Sequence, residues 1–77
     1  MEQKIYEILS NVLEIKVDDK TNFNMQNCES WTSLSHIDII MSLEEEFEIK
    51  FDKNILTKLN SQEEIIKEIK KIKNAHN

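Results

Sequence analysis

Apolar residues recur every three or four positions in several stretches of the chain, and this spacing predicts amphipathic helices. The first helix is expected from about Glu2 to Ile15. The residues on its apolar face are Ile5, Ile8, Leu9, Val12 and Leu13. One buried stripe of this width is typical of a helix that packs on one side.

A long loop is predicted between Lys16 and Trp31, because the apolar periodicity is lost there and Asp, Asn, Thr and Ser accumulate. A loop of this length in a small domain has to be tied down. We expect Phe23, Met25 and Trp31 to anchor it by packing against the helices.

The second helix is expected to begin at Thr32 or Ser33, since either side chain can cap it, and to end near Phe47 or Glu48. Its apolar residues cover well over half of the helix circumference. They are Leu34, Ile37, Ile39, Ile40, Met41, Leu43 and Phe47. One packed face needs less than this, so we expect part of the arc, including Ile39 and Met41, to meet partners or cargo.

The C-terminal third predicts two more helices. Asp52 can cap a short third helix, and Asn60 is expected to adopt a left-handed conformation after it. Ser61 and Glu64 form a capping box that opens the last helix. The apolar residues of these two helices are Ile55, Leu56, Leu59, Ile65, Ile66, Ile69 and Ile72. The pattern predicts a single all-α domain over residues 1–77, with a frayed tail at 73–77.

Composition narrows the possible functions. The 77 residues include no Gly, so glycine loops that bind nucleotide phosphates are absent. The net charge is −5, and the acids concentrate in the first two thirds of the chain. This charge favours basic protein surfaces as partners and argues against nucleic acid or anionic membrane.

The single cysteine, Cys28, excludes an internal disulfide. A lone loop cysteine is more often a partly buried small apolar residue than a nucleophile. The N-terminus has no signal-peptide pattern, and no apolar run approaches the ~20 residues that span a bilayer. We therefore expect a cytoplasmic protein without a membrane segment.

The segment from Ser33 to Phe47 resembles the modification-site helix of acyl carrier proteins. In that family a Ser-Leu pair opens the second helix, as Ser33-Leu34 does here, and a Leu-Glu-Glu-x-Phe run like Leu43 to Phe47 closes it. The resemblance extends over the whole chain. It implies a small four-helix bundle of acyl-carrier type, with a long first loop and a short third helix.

The same resemblance implies that Ser33 carries a covalent 4'-phosphopantetheine arm, whose thiol holds acyl groups as thioesters. The protein would then be a monomeric carrier and not an enzyme. Its partners would be a phosphopantetheinyl transferase and the enzymes that load and consume the acyl group. The residues expected at the partner surface are Thr32, Leu34, Asp38, Met41, Glu44 and Glu45.

One departure from the family is that Thr32 precedes the serine where Asp is usual. This favours a specialised, freestanding carrier over the general fatty-acid carrier. A peptidyl carrier would have a glycine-rich approach to the serine, so it ranks second. From another class, a helical interaction module remains open, in which Ser33 is only a cap.

Catalysis and metal binding are disfavoured. Ser33, His36 and Asp38 include the three residue types of a hydrolase triad, but on a helix Asp38 lies about 200° round from His36 and cannot orient its ring. Cys28, His36 and His76 lack the spacing of metal ligands. These residues therefore do not indicate a catalytic role for Ser33, and its role as an attachment point is what the resemblance implies.

Overall fold

The first helix of the protein packs through the apolar face that its sequence predicts. In a computed structural model, which describes residues 2–75, α1 spans Glu2–Leu13. Ile5, Leu9 and Leu13 are buried. The helix ends slightly earlier than predicted because Glu14 adopts a left-handed backbone conformation, with φ of 56°, and such a residue ends an α-helix.

The long loop that follows α1 is held by buried side chains. Trp31 is buried, and Phe23 and Met25 pack partly buried against the core, so their predicted role as anchors is confirmed. Cys28 is buried as well, as its apolar character suggests. Val17 is a further buried anchor that the sequence pattern did not single out.

Gln62, which is 3% exposed, fastens the loop to the last helix. Its Oε1 accepts hydrogen bonds from the Thr21 hydroxyl at 2.9 Å and from the Phe23 backbone N–H at 3.2 Å. Its Nε2 donates to the Asp18 carbonyl oxygen at 2.8 Å. The backbone N–H of Gln62 also donates to the Phe23 carbonyl oxygen, at 2.8 Å. The middle of the loop and the start of the last helix therefore form one hydrogen-bonded unit.

The second helix, α2, spans Ser33–Phe47 and contributes Ile39, Ile40 and Leu43 to the core. The expectation that Ile39 faces partners is wrong, since this side chain is 0% exposed. The breadth of the apolar arc arises because one side of α2 packs against the core while the other stays exposed. The helix ends as predicted, at Phe47, and the next residue, Glu48, caps it with a left-handed φ of 53°.

The third helix, α3, spans Lys53–Leu56. Asp52 caps it as predicted, accepting a hydrogen bond from the Asn54 N–H at 3.2 Å. No residue within α3 is fully buried, and Leu59 just beyond it is. This short helix is therefore held mainly by its flanks and by partly buried side chains.

Asn60 differs from its prediction. Within residues 2–75, positive φ values occur only at Glu14 and Glu48, so Asn60 is not left-handed. Its carbonyl oxygen accepts a hydrogen bond from the Met25 N–H at 3.0 Å. This contact, beside the bridge between Asn24 and Ser61, joins the turn between α3 and the last helix to the first loop.

The last helix, α4, spans Gln62–Ala75 and buries Ile65 and Ile69. Ser61 caps it as predicted, because its Oγ accepts a hydrogen bond from the Glu64 N–H at 3.1 Å.

The first part of the tail that is expected to fray, residues 73–75, belongs to the last turn of α4. Lys73 holds this last turn, because its Nζ donates to the Phe47 carbonyl oxygen at 2.9 Å. The remainder of the predicted tail, residues 76–77, lies outside the described residues.

The helices enclose one core, in which α1 packs against both α2 and α4. Glu2 Oε1 lies 2.6 Å from Lys70 Nζ and so joins α1 to α4. The hydrogen bond from Lys70, together with its positive charge, holds the pKa of Glu2 below its ordinary value of 4.5. The protein is mostly helical, and residues 2–75 contain no strand. No helix in this part of the chain has the length and apolar character needed to cross a membrane.

Candidate functional site

Ser33 is the first residue of α2, and its side chain is exposed. Within residues 2–75 no hydrogen bond engages its hydroxyl. The backbone N–H groups of the first turn of a helix lack intrahelical partners and carry partial positive charge. The hydroxyl is therefore both accessible and close to a site that suits a phosphate group.

Thr32, and not Ser33, is the residue that caps α2. Its Oγ1 accepts a hydrogen bond from the Ser35 N–H at 3.2 Å, and its φ of −90° and ψ of 177° are extended. Ser35 adds a second tie, since its Oγ donates to the Ser30 carbonyl oxygen at 2.7 Å. Thr32 thus provides the cap, a role that Asp also fills, and the Ser33 side chain takes no part in it.

A cavity of about 480 Å³ opens beside Ser33, between α2, α3 and the first loop. Most of its wall is apolar. The residues that line it are Met25, Ser33, His36, Ile37, Ile40, Met41, Leu56, Thr57 and Asn60. Its volume lies within the range of about 300–1,000 Å³ that is typical of small-molecule sites. We call this cavity the Ser33 groove.

His36 bridges the two sides of this region. The Trp31 indole Nε1–H donates to His36 Nδ1 at 3.2 Å, and His36 Nε2 lies 2.9 Å from the Leu56 carbonyl oxygen. The two rings stack, with centroids 6.3 Å apart. Both ring nitrogens of His36 are therefore engaged, and neither is available to activate Ser33.

One face of α2 presents apolar side chains to solvent. Leu34 is 77% exposed, Ile37 53% and Met41 62%. They recur at helical spacing and so form one stripe. Leu34 and Met41 were predicted at the partner surface, whereas Ile37 was not, because periodicity alone does not separate its side of the arc from the buried one.

The acidic residues predicted at the partner surface differ in their surroundings. Asp38 and Glu45 are exposed on α2. Glu44 is half-buried, and its Oε2 accepts a hydrogen bond from the Phe51 N–H at 2.8 Å. One oxygen of Glu44 therefore braces the segment after α2, and only part of this carboxylate faces outward.

The arrangement suits docking and the attachment of a group to Ser33 more than it suits catalysis. An accessible hydroxyl, an apolar groove and an exposed apolar stripe with acids lie along one helix, while both ring nitrogens of His36, the one histidine in residues 2–75, are occupied. Between residues 2 and 75, no three His, Cys, Asp or Glu side chains are grouped so that they could hold a metal ion. Compared with known proteins, the chain matches no family model and no curated protein sequence.

Proposed function

We propose that this protein is an acyl carrier protein. In this proposal Ser33 bears the 4'-phosphopantetheine arm, and the fold is the four-helix bundle of acyl-carrier type. The chain carries acyl intermediates as thioesters between the enzymes of a dedicated biosynthetic pathway in the cytoplasm. It acts as a monomer and catalyses no reaction itself.

The observation that carries the proposal is the state of Ser33. A cap residue has its side chain engaged by the backbone, but this role belongs to Thr32. Ser33 is exposed and makes no side-chain hydrogen bond within residues 2–75. A modifying enzyme can reach such a hydroxyl, and a phosphodiester formed there would meet the positive end of the α2 dipole.

The surroundings of Ser33 support the same function. The Ser33 groove offers an apolar surface within reach of a cargo attached at its rim. The exposed Leu34 and Met41, flanked by Asp38 and Glu45, suit docking by partners with an apolar pocket and basic rim. The arm supplies a thiol that holds the acyl group, and the residues of the chain position it and present it.

A second candidate is a helical interaction module without an arm. The specific observation in its favour is the exposed stripe of Leu34, Ile37 and Met41, which an amphipathic docking helix also has. A peptidyl carrier would hold an aminoacyl or peptidyl cargo on the same arm. The groove favours the acyl carrier, since an apolar chain gains from it and a charged aminoacyl group does not.

The proposal is tested by incubating the purified protein with a phosphopantetheinyl transferase and coenzyme A, and then measuring its intact mass. We expect a gain of one phosphopantetheinyl group, and its absence in Ser33→Ala. Because the Ser33 hydroxyl makes no internal hydrogen bond, this variant should keep the fold.

Ser35→Ala is the matched control, since Ser35 is a neighbouring hydroxyl on the same helix turn. It should accept the arm as the unchanged protein does. No gain of mass with several transferases would favour the interaction module, and modification of Ser33→Ala would reject Ser33 as the acceptor. The intact mass of the protein from its native host would also identify the cargo.

A further inference from the structure

The contact between α2 and α3 depends on a small number of groups. α3 has four residues and none of them is fully buried. Within residues 2–75, the hydrogen bond between His36 Nε2 and the Leu56 carbonyl oxygen is the one that joins these two helices. The buried flanks of α3 and its partly buried side chains hold it to the core, and His36 adds the hydrogen bond that ties its C-terminal end, the Leu56 and Thr57 wall of the Ser33 groove, to α2.

The chemistry of the bridge fixes the form of the imidazole. An indole nitrogen can only donate, so His36 Nδ1 must accept from Trp31. The single ring proton is then on Nε2, which donates to Leu56. Trp31 is itself 2% exposed and locked in the core. The hydrogen bond from the buried Trp31 thus fixes the position of the imidazole, and the hydrogen bond from the imidazole to Leu56 restrains α3.

We propose that His36 is a positioning residue that sets the width of the Ser33 groove by fixing α3 against α2 through Trp31 and Leu56. This inference rests on the proposed carrier function. With the bridge intact, the groove keeps its shape and shields an acyl chain that enters it. Without the bridge, α3 separates from α2, and the thioester spends more time exposed to solvent.

Three variants separate the parts of the bridge. His36→Leu has a similar volume and removes both hydrogen bonds. His36→Gln keeps a terminal amide N–H that can donate to the Leu56 carbonyl oxygen. Trp31→Phe keeps an aromatic ring in the core and removes the indole N–H, and because the smaller ring also leaves a cavity, the unfolding free energy of this variant is measured as well. Glu46→Gln, an exposed residue of α2 away from the groove, is the matched control.

The first measurement follows the rate at which hydroxylamine cleaves the thioester of a medium-chain acyl form. Cleavage should be about fivefold faster in His36→Leu, the change expected for one hydrogen bond of average strength. His36→Gln should restore most of the protection, and Glu46→Gln should match the unchanged protein. A purely structural loss would lower the helical content of every form alike, so circular dichroism is recorded for each variant.

The second measurement needs no arm. Amide hydrogen exchange at Lys58 and Leu59, whose N–H groups donate to the Ile55 carbonyl oxygen, reports opening of α3. It should be faster in His36→Leu and Trp31→Phe, while exchange in α1 stays unchanged. Equal exchange at these amides in all variants would overturn the bridge as the tie that holds α3.

The two proposals fail in different ways. If the unchanged protein accepts no arm, the carrier function is rejected. The hydrogen-exchange data alone then test whether His36 ties α3 to α2. If it accepts the arm but His36→Leu protects the thioester as well as the unchanged protein does, the role of His36 is refuted and the carrier function stands. Cleavage in the unchanged protein at the rate of free acyl-pantetheine would also refute it.

Discussion

Replacing Gln62 with Ala should detach the first loop from α4. The substitution removes three side-chain hydrogen bonds, to the Thr21 hydroxyl, the Phe23 N–H and the Asp18 carbonyl oxygen. Two of these partners are backbone groups, and water cannot form hydrogen bonds to them while the loop stays packed. The loop must either open or leave the Phe23 N–H unpaired, whereas the Asp18 carbonyl oxygen keeps the hydrogen bond from the Thr21 N–H at 3.2 Å.

The expected loss of stability follows from the number of hydrogen bonds that are removed. Each contributes about 1 kcal/mol to stability, so Gln62→Ala should lower the free energy of unfolding by about 3 kcal/mol. A domain of this size has only about 3–5 kcal/mol in total. At about 4–8 °C per kcal/mol, the melting temperature should fall by roughly 12–24 °C.

The assay is urea unfolding, followed by circular dichroism for the helices and by Trp31 fluorescence for the end of the loop. Gln26→Ala is the control, since Gln26 is an exposed glutamine of the same loop. Thr21→Val removes the bond to Gln62 and also the bond that the Thr21 hydroxyl accepts from the Asp18 N–H at 3.0 Å, so it should lose about 2 kcal/mol, less than Gln62→Ala.

The reasoning would be refuted if Gln62→Ala lost less than about 1 kcal/mol, the worth of a single bond, while the amides of Phe23 and Met25 stayed protected from exchange. A small loss of unfolding free energy together with fast exchange at these amides would mean that the loop opens locally. That result would still identify Gln62 as the residue that anchors the loop.

Three further outcomes are expected. Reversing Asp38 and Glu45 to Lys should slow loading by partner enzymes about tenfold at low ionic strength, and added salt should reduce this difference in loading rate. Equal loading rates at low salt would show that this face takes no part in docking. A medium-chain acyl group should raise the melting temperature above that of the holo form, because each buried methylene contributes about 0.8 kcal/mol; equal midpoints would exclude burial of the cargo. Glu2→Gln should lower resistance to urea near pH 7 and have no effect once the pH is low enough to protonate Glu2 in the folded protein. Lys70 lowers the pKa of Glu2, so the stabilisation is present above the ordinary value of 4.5 and is lost as the pH falls through the folded value; an effect that persists in acid would assign it to packing.

The parts of the fold that could be predicted from sequence depend on near neighbours along the chain. The caps at Asp52 and Ser61 and the end of α2 near Phe47 were predictable, because each involves residues within one helical turn. The buried stripe of α1 was predictable because its period is regular. Trp31 was predictable as an anchor because a large aromatic side chain is seldom left exposed in a loop.

What could not be predicted depends on contacts between distant residues. Gln62 reads as an ordinary residue of a capping box, and only the fold brings its amide to Asp18 and Phe23. His36 likewise meets Leu56 across twenty positions. Ile39 was misassigned because an apolar arc on a central helix does not reveal which part of it is covered. Of the site, sequence indicated Ser33, while the groove beside it needed the packing of α3.

Burial of Cys28 makes this thiol a reporter of loop opening. It is 7% exposed, and its Sγ lies 3.3 Å from the Ser30 hydroxyl oxygen. A thiol reagent can reach it only when the segment before α2 opens, so its alkylation rate measures the population of that open state. The terminal thiol of a pantetheine arm would react at once under the same conditions. A single labelling time course would therefore separate a fast thiol on the arm from a slow one in the loop.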